Sequence, residues 1–149
     1  MRPRHVLILL LLAAIPIGLA VVLAGGGGTR AISRVPGASI SLALLGEGSG
    51  GEAAVCGGTR RYAIYSAGST IHFQGTMTKA AAWKVKLKLK ACRAGAFQPA
   101  GEASATLPTN KSYTGSFPAP ISGYYFARAE LKQGEALVGR SDKAYFEVR

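Results

Sequence analysis

The feature that most constrains the fold is an unbroken alternation in the segment WKVKLKLKAC, residues 83 to 92. Trp83 and every second residue after it are apolar, and the positions between them are four lysines, Lys84, Lys86, Lys88 and Lys90. A period of two places the apolar side chains on one face of a β-strand and the lysines on the other. The segment therefore predicts a strand with one buried face and one wet face.

Similar patterns recur throughout residues 38 to 149, with glycine, proline or other turn residues between them. Besides the lysine segment, strands are predicted at 40 to 44, 61 to 65, 70 to 77, 102 to 107, 112 to 117, 124 to 131, 136 to 138 and 144 to 148. The glycine-rich stretch from 46 to 58 is predicted to be a long loop, and Gln98-Pro99 a turn. Within their strands, Leu107 and Phe146 are predicted to point inward. Short strands at this spacing indicate one all-β domain, an antiparallel sandwich of seven to nine strands.

The N-terminal segment determines the compartment. Arg2 and Arg4 precede Val6–Ala24, nineteen residues without a charge. As a helix this run would extend about 28 Å, close to the thickness of a bilayer core, and the small residues before Gly25 suit signal cleavage. Residues 1 to 24 are therefore predicted to be a signal peptide or an N-terminal membrane anchor, with residues 25 to 37 as a flexible spacer. Both alternatives place the domain outside the cytoplasm, secreted or tethered through Val6–Ala24.

Cys56 and Cys92 are the only cysteines of the chain. In an oxidising compartment an even number of cysteines indicates a disulfide. No second cysteine pair and no nearby histidine completes a tetrahedral metal site. The prediction is a bridge that joins the glycine-rich loop to the end of the lysine strand, with no metal and no cofactor.

The chain is strongly basic. It has 18 Lys and Arg residues against 7 Asp and Glu, a net charge of +11. Loss of Arg2 and Arg4 with the N-terminal segment would leave the exported part at +9. Such an excess favours anionic surfaces, so the expected partner is an envelope protein or an anionic polymer.

The four lysines allow two interpretations. Alternate residues of a strand lie about 6.7 Å apart, so the row would span about 20 Å and could bind an extended polyphosphate or teichoic-type chain. Alternatively, the lysines are the solvated face of a strand, or they protect a sheet edge from pairing. No aromatic residue is interleaved on the lysine face, which argues against nucleic acid as the ligand.

The C-terminal segments GYYFARAEL (residues 123 to 131) and SDKAYFEVR (residues 141 to 149) resemble the last two strands of bacterial immunoglobulin-like and fibronectin type III-like modules. Gly123, Tyr125 and Arg128 stand at the positions that such modules give to a turn glycine, a tyrosine and an outward arginine. The resemblance implies an immunoglobulin-like sandwich with Tyr125 as the corner tyrosine. Its hydroxyl would then bond to the backbone between Pro118 and Ile121.

The cysteines depart from that resemblance. Antibody-type domains have a tryptophan soon after their first cysteine, whereas Trp83 follows Cys56 by 27 residues and precedes Cys92 by 9. The usual disulfide between the two sheets is therefore not carried over to this chain.

A second candidate surface follows from the same alternation. Tyr124, Phe126 and Arg128 share the face opposite to that of Tyr125. An aromatic pair beside an arginine is the composition of an interaction hot spot, so these three residues are candidates for partner binding. The alternative is that a loop covers the aromatic rings.

Catalytic chemistry finds little support. His72, the only histidine beyond the N-terminal segment, is predicted to face solvent, because Ile71 and Phe73 take the buried positions beside it. A catalytic triad would require His72 to meet Asp142, the only aspartate. We therefore expect a non-enzymatic envelope module for ligand binding, protein binding or adhesion, with a polyanion-binding factor or a purely structural spacer as the alternatives.

Overall fold

The structure, a computed structural model, describes residues 38–46, 48, 50–78, 83–107 and 111–149. The predicted signal peptide or anchor, residues 1 to 24, and the predicted spacer, residues 25 to 37, lie outside these residues. In the described part no helix has the length and apolar character needed to cross a membrane.

The described residues form β-strands and no helix, which confirms the all-β prediction. The strands are β1 Ala43–Leu45, β2 Glu52–Ala54, β3 Thr59–Arg61, β4 Ala63–Tyr65, β5 Thr70–Thr76, β6 Trp83–Arg93, β7 Ala96–Ser104, β8 Ser112–Pro118, β9 Gly123–Gln133, β10 Ala136–Arg140 and β11 Ala144–Val148. These eleven strands exceed the predicted seven to nine.

Two sheets and a small ribbon contain these strands. The smaller sheet has the order β1-β5-β8, and the larger has the order β4-β11-β9-β6-β7. Strand β10 pairs with β9, on the same side of β9 as β11. Strands β2 and β3 form a separate two-stranded ribbon. The prediction of wholly antiparallel sheets is wrong at one edge, where β4 pairs with β11 in parallel. A parallel pair needs a long connection, and almost the whole domain separates these two strands in sequence.

The apolar faces of the two sheets form one core. The alternation of the lysine strand is confirmed, because Trp83, Val85, Leu87 and Leu89 are all buried. From the smaller sheet Phe117 contributes a ring whose centre lies 6.0 Å from that of Phe146 in the larger sheet. This two-layer arrangement is compatible with a β-sandwich.

The hairpin of β6 and β7 differs from the prediction. Its turn is formed by Ala94 (φ 50°) and Gly95 (φ 79°), and two consecutive left-handed residues are what a two-residue hairpin turn requires. As a result β7 begins at Ala96, and Pro99, predicted to lie in a turn, is part of the strand. An outer strand tolerates the missing N–H of a proline. Leu107, predicted to point inward, is 37% exposed.

The glycine-rich stretch is not wholly a loop. Its residues Glu52–Ala54 pair with Thr59–Arg61, so that the ribbon β2-β3 occupies much of the predicted loop. The strand predicted at 61 to 65 is divided at Tyr62, which is 1% exposed. The alternation of small and polar residues between the glycines is too weak to indicate these short strands.

Tyr125 makes the hydrogen bond that the sequence predicts. Its hydroxyl donates to the backbone carbonyl of Ile121 at 2.6 Å, and its ring stacks on Phe146 with the ring centres 5.3 Å apart. Burial raises the pKa of the Tyr125 hydroxyl, so this group stays a neutral donor at physiological pH.

Replacing Tyr125 by phenylalanine is expected to lower the free energy of unfolding by about 1 kcal/mol, the net contribution of one hydrogen bond. The ring stacking on Phe146 is retained, and water can hydrate the freed carbonyl because Ile121 is exposed. Urea unfolding with an unchanged m-value would measure the loss. Equal stability of the variant and the parent protein would contradict a stabilising role for the bond.

Candidate functional site

The row of four lysines lies on the outer face of the larger sheet, away from the core. Strand β6 pairs with β9 on one side and with β7 on the other. It is therefore an interior strand, and protection of a sheet edge does not explain its lysines. Lys86, Lys88 and Lys90 are half-buried, while Lys84 is exposed.

Neighbouring strands add further cations to the same face. Across the sheet Lys84 pairs with Lys132, and Lys88 pairs with Arg128. Lys132 is only 9% exposed. Together with Arg140 of β10 and Lys143, which lines the same groove, these residues make up what we call the cationic face: Lys84, Lys86, Lys88, Lys90, Arg128, Lys132, Arg140 and Lys143.

Two carboxylates lie among these cations. Glu102 of β7 forms ion pairs with Lys88 and, at 3.7 Å, with Lys86. The hydrogen bond from Lys88 holds the pKa of Glu102 below its usual value. Glu130 of β9 pairs with Arg140 at 3.2 Å.

The remaining cations keep their charge uncompensated. Within the part of the chain that the structure describes, Lys84, Lys90, Arg128, Lys132 and Lys143 form no ion pair with a carboxylate. In the region of the cationic face, the eight cations and the two carboxylates Glu102 and Glu130 together produce a strong local positive potential.

An aromatic cluster occupies the other end of this outer face. It consists of Tyr62, Phe97, Tyr124, Phe126 and Tyr145, whose neighbouring ring centres lie 4.9 to 6.0 Å apart. Tyr145 is also covered by Arg60 of the ribbon, with the guanidinium carbon 5.0 Å from the ring centre. The cluster is thus a second, smaller apolar core on the outside of the sheet.

This cluster corrects two expectations about aromatic residues. Phe126 points away from the main core, but it is only 5% exposed, because Phe97 and Tyr145 pack against it. Phe126 is therefore not an exposed binding residue, and Tyr124 beside it is half-buried. The inference that the lysine face lacks aromatic residues is also wrong, because Phe126 pairs with Lys90 across the sheet. Alternation within one strand could not show what its neighbours contribute.

A groove of about 780 Å³ opens where the cationic face meets the aromatic cluster. It is lined by Lys88, Leu89, Lys90, Phe97, Pro99, Ala100, Gly101, Glu102, Phe126, Arg128, Glu130, Arg140 and Lys143. The register between β6 and β7 shifts between Leu89, opposite Gly101, and Lys90, opposite Pro99, so that Ala100 is the extra residue of a bulge. Such a bulge redirects side chains at the rim of a sheet, and bulges are frequent beside functional sites.

The disulfide joins the ribbon to the lysine strand. Cys56, between β2 and β3, is bonded to Cys92 near the end of β6, with a Cα–Cα distance of 5.8 Å. The predicted bridge is confirmed. Cys92 lies on the outer face, opposite Phe97 in the register with β7, so the bridge holds the ribbon beside the aromatic cluster. A disulfide is typical of proteins in an oxidising environment outside the cytoplasm.

His72 is exposed, as predicted, and pairs with Ser116 in the smaller sheet. Asp142 lies outside the strands, between β10 and β11 of the larger sheet, so the two candidate triad residues are not on the same sheet. Among the described residues no group of three or more histidine, cysteine, aspartate or glutamate side chains is placed to hold a metal ion.

Comparison with models of known protein families and with curated proteins finds no match to this chain.

Proposed function

We propose that the protein is an exported, non-enzymatic module of the cell envelope that binds anionic polymers through the cationic face. The observation that carries this proposal is the charge surplus on one side of a single sheet. Lys84, Lys90, Arg128, Lys132 and Lys143 have no carboxylate partner among the described residues.

A surplus of this kind is unfavourable for the isolated fold, because like charges on one face repel each other. A face that only needs to be wet could carry serine, threonine or balanced charges at lower electrostatic cost. The interior position of β6 also removes edge protection as a reason for the lysines. Binding of a polyanion would neutralise the surplus and release its counterions.

The proposed module is immunoglobulin-like. In that scheme the smaller sheet, β1-β5-β8, takes the places of strands A, B and E, and β11-β9-β6-β7 takes those of G, F, C and C′. The hydrogen bond from Tyr125 to Ile121 supports the same assignment, because a corner tyrosine lies near the start of strand F in these modules. Export is supported by the disulfide and by the apolar N-terminal sequence.

Replacing Lys84, Lys86, Lys88 and Lys90 together by serine is expected to weaken binding to long-chain polyphosphate. The slope of log Kd against log salt concentration should become shallower by about 3, since each lost contact on a single-stranded polyanion removes roughly 0.7. Fluorescence anisotropy of labelled polyphosphate at several salt concentrations would measure both quantities, and circular dichroism would check folding.

A matched control removes the same number of charges elsewhere. Arg61, Arg93, Lys111 and Arg149 do not belong to the cationic face, and their joint replacement by serine should change the slope by less than about 1. If both quadruple variants lost the same affinity, only net charge would matter and the proposed face would be wrong. Unchanged binding of the lysine variant would also refute the proposal, and equally tight binding of single-stranded DNA would contradict the preference for envelope polymers.

A further inference from the structure

The groove beside the lysine row contains three cations that its own carboxylates leave uncompensated. Glu102 is engaged by Lys88, and Glu130 by Arg140. Lys90, Arg128 and Lys143 also line the groove and form no ion pair within the described residues.

These three cations converge on one aromatic ring. The Lys143 ammonium lies 4.9 Å from the centre of the Phe126 ring, and the Arg128 guanidinium carbon lies 6.0 Å from it. Lys90 is the residue opposite Phe126 on the neighbouring strand, with its side chain on the same face. Two strands and the segment before β11 thus each place one cationic residue beside the same ring.

The arrangement of the charges suits a tetrahedral oxyanion. A carboxylate has two oxygens and is fully engaged by a single arginine fork. A phosphate or sulfate presents at least three acceptor oxygens in different directions, which matches three donors that approach from separate elements. The Nε atom of Arg128 is buried and has no hydrogen-bond acceptor among the described residues, so this guanidinium is not committed to a structural partner.

The volume and the apolar lining of the groove indicate a ligand larger than a free anion. A groove of about 780 Å³ exceeds what one phosphate fills and lies in the usual range for organic ligands. Phe97, which is half-buried, and Pro99 supply apolar surface beside the cations. A sugar ring can place its C–H face on such a surface while a substituent reaches the charged groups.

We propose that this groove binds one phosphorylated or sulfated sugar unit, with the oxyanion held by Lys90, Arg128 and Lys143 and the sugar ring against Phe97 and Pro99. This inference rests on the proposed function, because it assigns the anionic polymer to a glycan that carries tetrahedral oxyanions. The lysine row then contacts the glycan chain non-specifically, and the groove selects the phosphorylated or sulfated sugar unit.

The test uses small probes that cannot extend along the row. Glucose 6-phosphate, glucose 6-sulfate, glucuronate, glucose and inorganic phosphate are titrated into the ¹⁵N-labelled protein, and Kd values are read from amide chemical shifts. We expect glucose 6-phosphate or glucose 6-sulfate to bind at least tenfold more tightly than the other three probes, with the largest shifts at Phe97, Arg128 and Lys143. The ratio between the phosphate and sulfate probes identifies the natural oxyanion. Equal affinity for glucose 6-phosphate and inorganic phosphate would refute the sugar site.

Two variants of equal charge locate the site. Arg128→Gln with Lys143→Gln should weaken binding of the preferred probe at least tenfold, whereas Lys84→Gln with Lys86→Gln should change it less than twofold. Equal loss in both variants would overturn the assignment. The double variant of Arg128 and Lys143 should be at least as thermally stable as the parent protein, because removing like charges relieves their repulsion. A large loss of stability would instead point to a structural role for these two residues.

Polyphosphate binding separates the two proposals. If polyphosphate binds through the lysine row but no sugar probe is preferred, only the inference about the groove fails. If polyphosphate binding does not depend on the lysine row, the proposed function fails as well.

Discussion

Replacing Cys56 and Cys92 together by serine is expected to lower the free energy of unfolding by about 4 kcal/mol, the chain-entropy contribution of a bridge that closes a loop of this length. The bridge spans 36 residues, and without it the unfolded chain regains the freedom of that loop. The folded state loses its anchor for the ribbon β2-β3, whose own two strands have only three residues each. A two-stranded ribbon of this size has little stability of its own. Chemical denaturation of the parent and the double variant would measure the difference.

The parent protein treated with dithiothreitol provides the control. It should lose as much stability as the double variant, whereas the variant should not respond to the reductant. Release of the ribbon should also expose Tyr62, whose pKa burial raises, so that its phenol would titrate closer to the ordinary value. A loss below about 1 kcal/mol with Tyr62 still protected would show that packing, not the bridge, holds the ribbon.

The main core was predictable because alternation reports directly which side of a strand is buried. The apolar residues of the lysine strand and the rings of Phe73 and Phe146 all occupy the buried positions that period two assigns to them: Trp83, Val85, Leu87, Leu89, Phe73 and Phe146. The pattern is strong where each apolar residue is large and each intervening residue is polar. The hydrogen bond of Tyr125 was expected for another reason, the resemblance of its segment to immunoglobulin-like modules, and it joins residues only four positions apart.

The cationic face was only partly predictable, because it is assembled from several strands. The sequence indicates the lysine row, but pairing with β9 brings Arg128 and Lys132 beside it, and pairing with β7 brings Glu102. These partners depend on strand order and register, which alternation does not specify. Phe126 shows the consequence: its outward direction was correct, whereas its burial depends on Phe97 from a different hairpin.

The turn at Ala94 and Gly95 explains most of the misplaced strand β7. Left-handed turn positions favour Asn, Asp or Gly, and alanine at the first of them gives no sequence signal. In the sequence, Pro99 and Gly101 suggest that a strand is interrupted. In the structure they flank the bulge that forms one wall of the groove. The features that sequence patterns misassigned are therefore those that shape the candidate site.

The end of the lysine strand and the aromatic cluster both lie beside the disulfide between Cys56 and Cys92. Cys92 ends the outward series of β6 that begins with the four lysines, and its bridge holds the ribbon near the rings of Tyr62 and Tyr145. The rings of Phe97 and Phe126 are part of this cluster and of the groove wall. Loss of the bridge should therefore weaken sugar binding in the groove more than polyphosphate binding along the lysine row.

Replacing Phe146 by alanine is expected to lower the free energy of unfolding by about 4 kcal/mol, the usual effect of removing a fully buried phenyl ring. Phe146 is completely buried, and its ring lies 5.3 Å from Tyr125, 6.0 Å from Tyr65 and 6.0 Å from Phe117. Phe117 belongs to the smaller sheet, so the alanine variant would open a cavity between the two layers. Urea unfolding would measure the loss.

Two further variants keep that test decisive if the alanine protein does not fold. Phe146→Leu retains most of the volume and should cost about 1 kcal/mol. Tyr145→Ala, at the adjacent position of β11, removes a half-buried ring of similar size from the outer aromatic cluster. Because the exposed part of that ring contributes little hydrophobic free energy, its removal should cost about half as much as that of Phe146. An equal or larger loss for Tyr145→Ala would mean that the outer cluster, and not the interface between the sheets, dominates the stability of the domain.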